Sequence, residues 1–133
     1  MAKKWEDIKK DFERIELIPE AADEYNNLDG SVRKEVDKKF AKLDENPYLG
    51  LPLGNRNNMD LTGFYKLYLM DKKVRIVYRI IDSETIEIVE VWGIGKRDKM
   101  EVYKDVDDRK QQWSGRNSFL IKLLIMKTYV LPG

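Results

Sequence analysis

From Trp5 to Leu43 the apolar positions recur at spacings of three and four, the period of helices that bury one face. Trp5, Ile8, Phe12 and Ile15 form the first stripe and predict a helix over the N-terminal extension, residues 1–13. The stripe is cut where Ile15 and Leu17 alternate with charge between Arg14 and Ile18, so a short strand closed by Pro19 is expected next. Ala21, Ala22, Tyr25 and Leu28 predict a short helix that stops at Asn26-Asn27-Leu28-Asp29-Gly30. Ser31 is placed to cap a further helix, whose stripe is Val32, Val36, Phe40 and Leu43 and whose end is set by Asn46-Pro47. These last two read as an antiparallel pair joined by a tight turn.

Tyr48 to Thr62, with its Gly, Pro and Asn residues, reads as a long loop. Beyond it the period changes to two. Phe64 to Met70, Lys73 to Ile81 and Thr85 to Trp92 predict strands, joined by hairpins at Asp71-Lys72 and Asp82-Ser83-Glu84. On the middle strand Val74, Ile76, Tyr78 and Ile80 share one face, leaving Arg75, Val77 and Arg79 on the other. On the strand before it Tyr65, Leu67 and Leu69 oppose Lys66, Tyr68 and Met70. If the apolar faces lie against helices, Lys66, Tyr68, Arg75 and Arg79 project together from the exposed side. Gly93 and Gly95 are expected to break the sheet, and Met100, Val102, Tyr103 and Val106 mark a final helix. The fold class is α+β: an antiparallel or mixed sheet of about four strands, two N-terminal helices on one face, and a C-terminal helix.

Composition narrows the chemistry. The chain has 133 residues, a length suited to one domain, with 25 Lys plus Arg against 24 Asp plus Glu, and no histidine or cysteine. That excludes a Cys/His zinc site, a disulfide, a cysteine nucleophile and a Ser-His-Asp triad. Acid–base chemistry falls to Lys, Tyr, Asp or Glu, with Arg to donate or to clamp charge. The net charge of +1 hides a local excess, because Lys66, Lys72, Lys73, Arg75 and Arg79 lie between Phe64 and Arg79 with Asp71 the lone acid. Such a face suits an anionic partner. The N-terminus lacks a signal-peptide apolar region, and the longest apolar stretch, Phe119 to Met126, is broken by Lys122 and too short for a bilayer. A soluble cytoplasmic protein with no membrane partner is expected. Residues 111–133 combine Trp113, an apolar run and Arg116, Lys122 and Lys127, and read as an extension without an assigned role.

Lys66, Arg75, Arg97 and Tyr103 all lie on elements that end or turn near one sheet face. Three cations converging on a phosphodiester would stabilise the charge of its pentacoordinate transition state, and a phenol could share a proton. Residue types alone leave two readings open, since in a chain with 25 cations several line any sheet face without a function.

The blocks Phe64-Tyr-Lys-Leu, Val74-Arg-Ile-Val-Tyr-Arg-Ile-Ile-Asp82 and Gly95-Lys-Arg-Asp-Lys-Met-Glu-Val-Tyr103, in that order after two helices, resemble the RelE/ParE superfamily of type II toxin–antitoxin toxins, on the RelE side. The resemblance covers about residues 14–109, and the toxin domain implied is residues 1–110. It implies a compact fold like that of a microbial ribonuclease. It implies a ribosome-dependent messenger-RNA endonuclease that uses the RNA's own 2′-hydroxyl, needs no metal or cofactor, and meets operator DNA only through an antitoxin complex. A cognate antitoxin would be its other protein partner. Carried over by position, Lys66, Arg75, Arg97 and Tyr103 are the implied catalytic set, with Tyr68, Arg79 and Lys96 as further substrate contacts. Arg75 would hold the scissile phosphate, Arg97 would stabilise charge and protonate the leaving 5′-oxygen, and Tyr103 would orient or stack on the substrate. Tyr68 stands where such sequences often carry a second lysine, leaving Lys66 as the base, with Glu101 the carboxylate alternative. The ParE side of the superfamily implies a different activity, the poisoning of DNA gyrase by binding, and a third reading is a catalytically weak toxin-like protein whose sheet serves to bind an antitoxin.

Overall fold

The computed structural model describes residues 3–56, 58–96 and 101–114. The elements run α1 (Trp5–Ile8), β1 (Ile15–Leu17), α2 (Pro19–Asn26), α3 (Gly30–Glu45), β2 (Leu51–Arg56), β3 (Met59–Leu69), β4 (Val74–Asp82), β5 (Glu87–Lys96) and α4 (Glu101–Ser114). The strands form one mixed sheet in the order β1-β5-β4-β3-β2, with β1 parallel to β5 and the other pairs antiparallel. The α+β class is as expected, with five strands in place of about four. The extra one, β2, falls where a loop was expected. Pro52 and Gly54 carry the loop signal, but both sit on an edge strand at a register break, where a missing N–H and a kink are tolerated.

The N-terminal helix contracts to the single turn α1 and a 3-10 turn at Lys9–Asp11. Ile15 pairs with Val89 in β1, so the chain must already be extended there and cannot prolong the helical stripe. The extension is held by aromatic packing. Trp5 lies 5.6 Å from the Tyr25 and Phe40 rings and stacks on Phe12 at 5.9 Å. α3 begins one residue before the expected cap: Asp29 is the N-cap and Ser31 lies inside the helix. α2 and α3 supply Ala21, Tyr25, Val36, Phe40 and Leu43 to a core completed by Ile76, Tyr78, Val89 and Val91, which share one sheet face by register.

α4 covers the opposite face. Gly93 pairs with Val77 and Gly95 with Arg75, and β5 runs through both glycines to Lys96 without breaking. Their role is close approach: a Cβ on Gly93 would lie 2.9 Å from Val106 Cγ2 and 3.1 Å from Val102 Cγ2. β1 pairs only with Val89 to Val91, and beyond it an ion pair replaces the missing strand. Glu24 Oε1 accepts from the Ile94 N–H at 3.1 Å, and Arg109 Nη1 donates to the Trp92 carbonyl and to Glu24 Oε1, both at 2.8 Å. α2, the open edge of β5 and α4 are thereby joined. The division drawn at 110/111 falls inside α4, and residues 115–133 lie outside the described residues. Among the described residues, no helix is long and apolar enough to cross a membrane.

Candidate functional site

The register that builds the sheet also gathers the cations. Tyr68 pairs with Arg75 and Lys66 with Val77, so Lys66, Tyr68 and Arg75 share the face beneath α4. Tyr103 descends on them from the first turn of that helix. The Arg75 guanidinium sits 5.1 Å from the Tyr68 ring centre and 4.6 Å from that of Tyr103, a cation held by two aromatic rings. Lys66 Nζ lies 5.0 Å from the Tyr68 ring and Lys72 Nζ 5.6 Å.

The expectation that Lys66, Tyr68, Arg75 and Arg79 project from an exposed face is overturned for Lys66 and Arg75, and Tyr103 is a core aromatic of α4. Lys66 is 9% exposed, Arg75 6% and Tyr103 0%, while Tyr68 is half-buried. The helical period of Val102, Tyr103 and Val106 announces a buried stripe but does not say which sheet face it buries. Among the described residues, no carboxylate pairs with either covered cation: four ion pairs occur, and neither Lys66 nor Arg75 belongs to one. Arg75 Nε and Nη1 are buried with no hydrogen-bond partner. A buried donor without an acceptor costs about 1–3 kcal/mol, so the arrangement is unfavourable until an anion supplies the acceptors. Phosphate oxygens fit a guanidinium fork of this kind.

Two further features shape the site. Met70, Asp71 and Lys72 have φ of 53, 55 and 68°, three successive left-handed residues, in the turn that folds Lys72 back toward Tyr68. Left-handed backbone costs about 1–2 kcal/mol for residues with a side chain. In the sequence Lys72 belongs to the Asp71-Lys72 connection after Met70 and to the local basic face, and the turn brings its Nζ to 5.6 Å from the Tyr68 ring. The Tyr68 phenol is held below its ordinary 10.0, chiefly by the Lys66 side chain, with Arg75 and Tyr103 adding and burial opposing.

The remaining sequence-predicted residues are not in this cluster. Arg79 donates through Nε to the buried Glu90 at 2.6 Å and lies 4.9 Å from the Trp92 ring, so it is already engaged. Lys96 pairs with Val74 and therefore belongs to the other sheet face from Arg75. Arg97 lies outside the described residues.

The fold and the sequence both have relatives among known proteins. Residues 6–96 match the family model described as the ParE toxin of the type II toxin–antitoxin system parDE. An Escherichia coli protein described as a RelE-like toxin is 26% identical over 96 residues, covering 72% of this chain and 95% of the relative. The isolated E. coli RelE toxin superposes with a TM-score of 0.53 at 27% identity, covering 72% of this chain and 96% of RelE. An arginine double mutant of E. coli RelE in complex with a peptide of its antitoxin RelB gives 0.51 at 26%, over 69% of this chain and 90% of that one.

Proposed function

The chain belongs to the RelE/ParE superfamily of type II toxin–antitoxin toxins, and from that membership we propose that it is a messenger-RNA endonuclease acting at the ribosome. The observation that carries this reading is the pair of buried cations Lys66 and Arg75, with no carboxylate paired to either among the described residues, held beneath α4 and bordered by Tyr68 and Tyr103. Arg75 grips the scissile phosphate and Lys66 adds positive charge to the pentacoordinate transition state formed when the 2′-hydroxyl attacks phosphorus. Tyr103, buried against the guanidinium, positions Arg75 and does not stack on a base. Arg97 is assigned from its sequence position to charge stabilisation. With no imidazole in the chain, rate enhancement rests on clamping charge, while the ribosome aligns the RNA for in-line attack. A cognate antitoxin that silences the protein belongs to the same reading, supported by the RelB peptide complex of the E. coli toxin.

The experiment is induced expression followed by primer extension on cellular messages and chemical analysis of the new ends. Cleavage within translated regions, leaving 2′,3′-cyclic phosphate and 5′-hydroxyl ends, is expected for the wild type and abolished by Arg75→Ala. The match to a model described as ParE favours the second reading, a gyrase poison. Intact messages with a DNA-damage response would select it.

A further inference from the structure

The four side chains of the cage differ in exposure, and the difference assigns a role. Lys66, Arg75 and Tyr103 are all less than a tenth exposed, whereas Tyr68 is half-buried. A ribose hydroxyl arriving from solvent meets Tyr68 before any of the other three. Building on the endonuclease reading, we infer that Tyr68 is the general base, its phenolate oxygen taking the proton of the attacking 2′-hydroxyl. This makes it a catalytic residue.

The groups facing Tyr68 come from every element packed around it. β3 contributes Lys66, the following turn Lys72, β4 Arg75 and α4 Tyr103. Among the described residues, the charged groups these contacts bring to the ring are all positive. Cations at 5.0 to 5.6 Å from a phenol ring favour its ionised form, and the phenol is indeed held below its ordinary value. Lys66 is the poorer base by access, being 9% exposed where Tyr68 is half-buried. In the step itself, Tyr68 Oη accepts the 2′-hydroxyl proton, the 2′-oxygen bonds to phosphorus, and the bond from phosphorus to the 5′-oxygen breaks. Water protonates the departing oxygen, and the hydroxide so formed removes the proton from Tyr68, restoring the phenolate.

Two measurements test this, one of them independent of activity. Tyrosinate absorbance is titrated for the wild type and Tyr68→Phe, each checked for folding by thermal melting. The difference between them must contain one phenol ionising below 10; a phenol that ionises at or above 10 overturns the proposal. Single-turnover cleavage on translating ribosomes is then followed against pH. The wild-type rate should climb tenfold per pH unit toward that inflection. Tyr68→Phe should lose at least about 100-fold and the climb with it, while 3-fluorotyrosine at position 68 should keep activity and move the inflection down. A Tyr68→Phe protein that cleaves within threefold of the wild type, with the same profile, sinks the base assignment and leaves the endonuclease reading standing if Arg75→Ala is inert. Failure of the endonuclease reading is a separate result: the wild type and Arg75→Ala would both leave messages intact.

Discussion

Replacing Arg75 by methionine should make the protein more stable and inactive at once. The guanidinium is 6% exposed, and its Nε and Nη1 atoms face neither water nor an acceptor. Two such donors cost about 1–3 kcal/mol each. Against this stand contacts with the Tyr68 and Tyr103 rings at 5.1 and 4.6 Å, worth about 0.5–2 kcal/mol apiece. A methionine keeps the length and the ring contacts, drops both orphaned donors and removes a like charge beside Lys66. The balance favours Arg75→Met by about 1–2 kcal/mol, equivalent to roughly 4–8 °C in melting temperature for a domain of this size. Urea denaturation with and without inorganic phosphate is the assay. Phosphate should raise the wild-type midpoint, because it binds the folded cage alone, and leave that of Arg75→Met unchanged. A variant less stable than the wild type by more than 1 kcal/mol, or equal phosphate effects on both, would refute the view that Arg75 is an unsatisfied anion-binding group.

Other outcomes follow from the packing and from titration. Gly93→Val drives a branched side chain into Val102 and Val106 of α4; a loss of about 1–3 kcal/mol in urea denaturation is expected, together with stronger binding of an apolar dye as α4 lifts. Asp37 accepts from the Tyr25 hydroxyl at 2.6 Å, and burial holds its carboxyl above the usual 3.8 although that hydrogen bond and Arg33 act against the shift. The folded state therefore keeps a proton that the unfolded chain has lost, so wild-type stability relative to Asp37→Asn should fall as pH rises from 3.8 to the folded value and level off above it. Thermal melts between pH 3 and 6 measure this, and a difference that grows with pH would reverse the sign.

What was legible in the sequence is what local pattern controls. The alternation from Tyr65 to Ile80 marks both the strands and the residues sharing a face, so it groups Lys66, Tyr68 and Arg75 on its own. The depth of the group was not legible, because it depends on which face α4 covers, a choice made by packing between segments far apart in the chain. Gly93 and Gly95 misled for a related reason. A glycine reads as a chain break when only its backbone freedom is considered, and here the smallness of the residue is what α4 requires. Arg79 stood in the same alternation as Arg75. Its engagement turns on a register shift: Val77 pairs with Gly93 but Tyr78 with Val91, leaving Trp92 as the extra residue beside Glu90. No local signal marks that shift.

The shift divides one sheet face into two electrostatic regions with opposite purposes. On one side Arg79 meets Glu90 at 2.6 Å and shares the acid with the Trp92 indole N–H, so a buried charge is matched within the fold. On the other, four strand residues earlier, Arg75 has two aromatic neighbours and a lysine, and no acid pairs with it among the described residues. A fold able to satisfy one arginine with a carboxylate could satisfy the next in the same way, and the cost of not doing so is of the order of 1–3 kcal/mol per orphaned donor. Leaving the second region unmatched is economical only if its partner arrives from outside and leaves again. An internal carboxylate would occupy the fork that the phosphate must enter. The glycines of β5 and the Glu24 to Arg109 link serve the same end: they seat α4 closely over Arg75, while Tyr68 stays only half-buried.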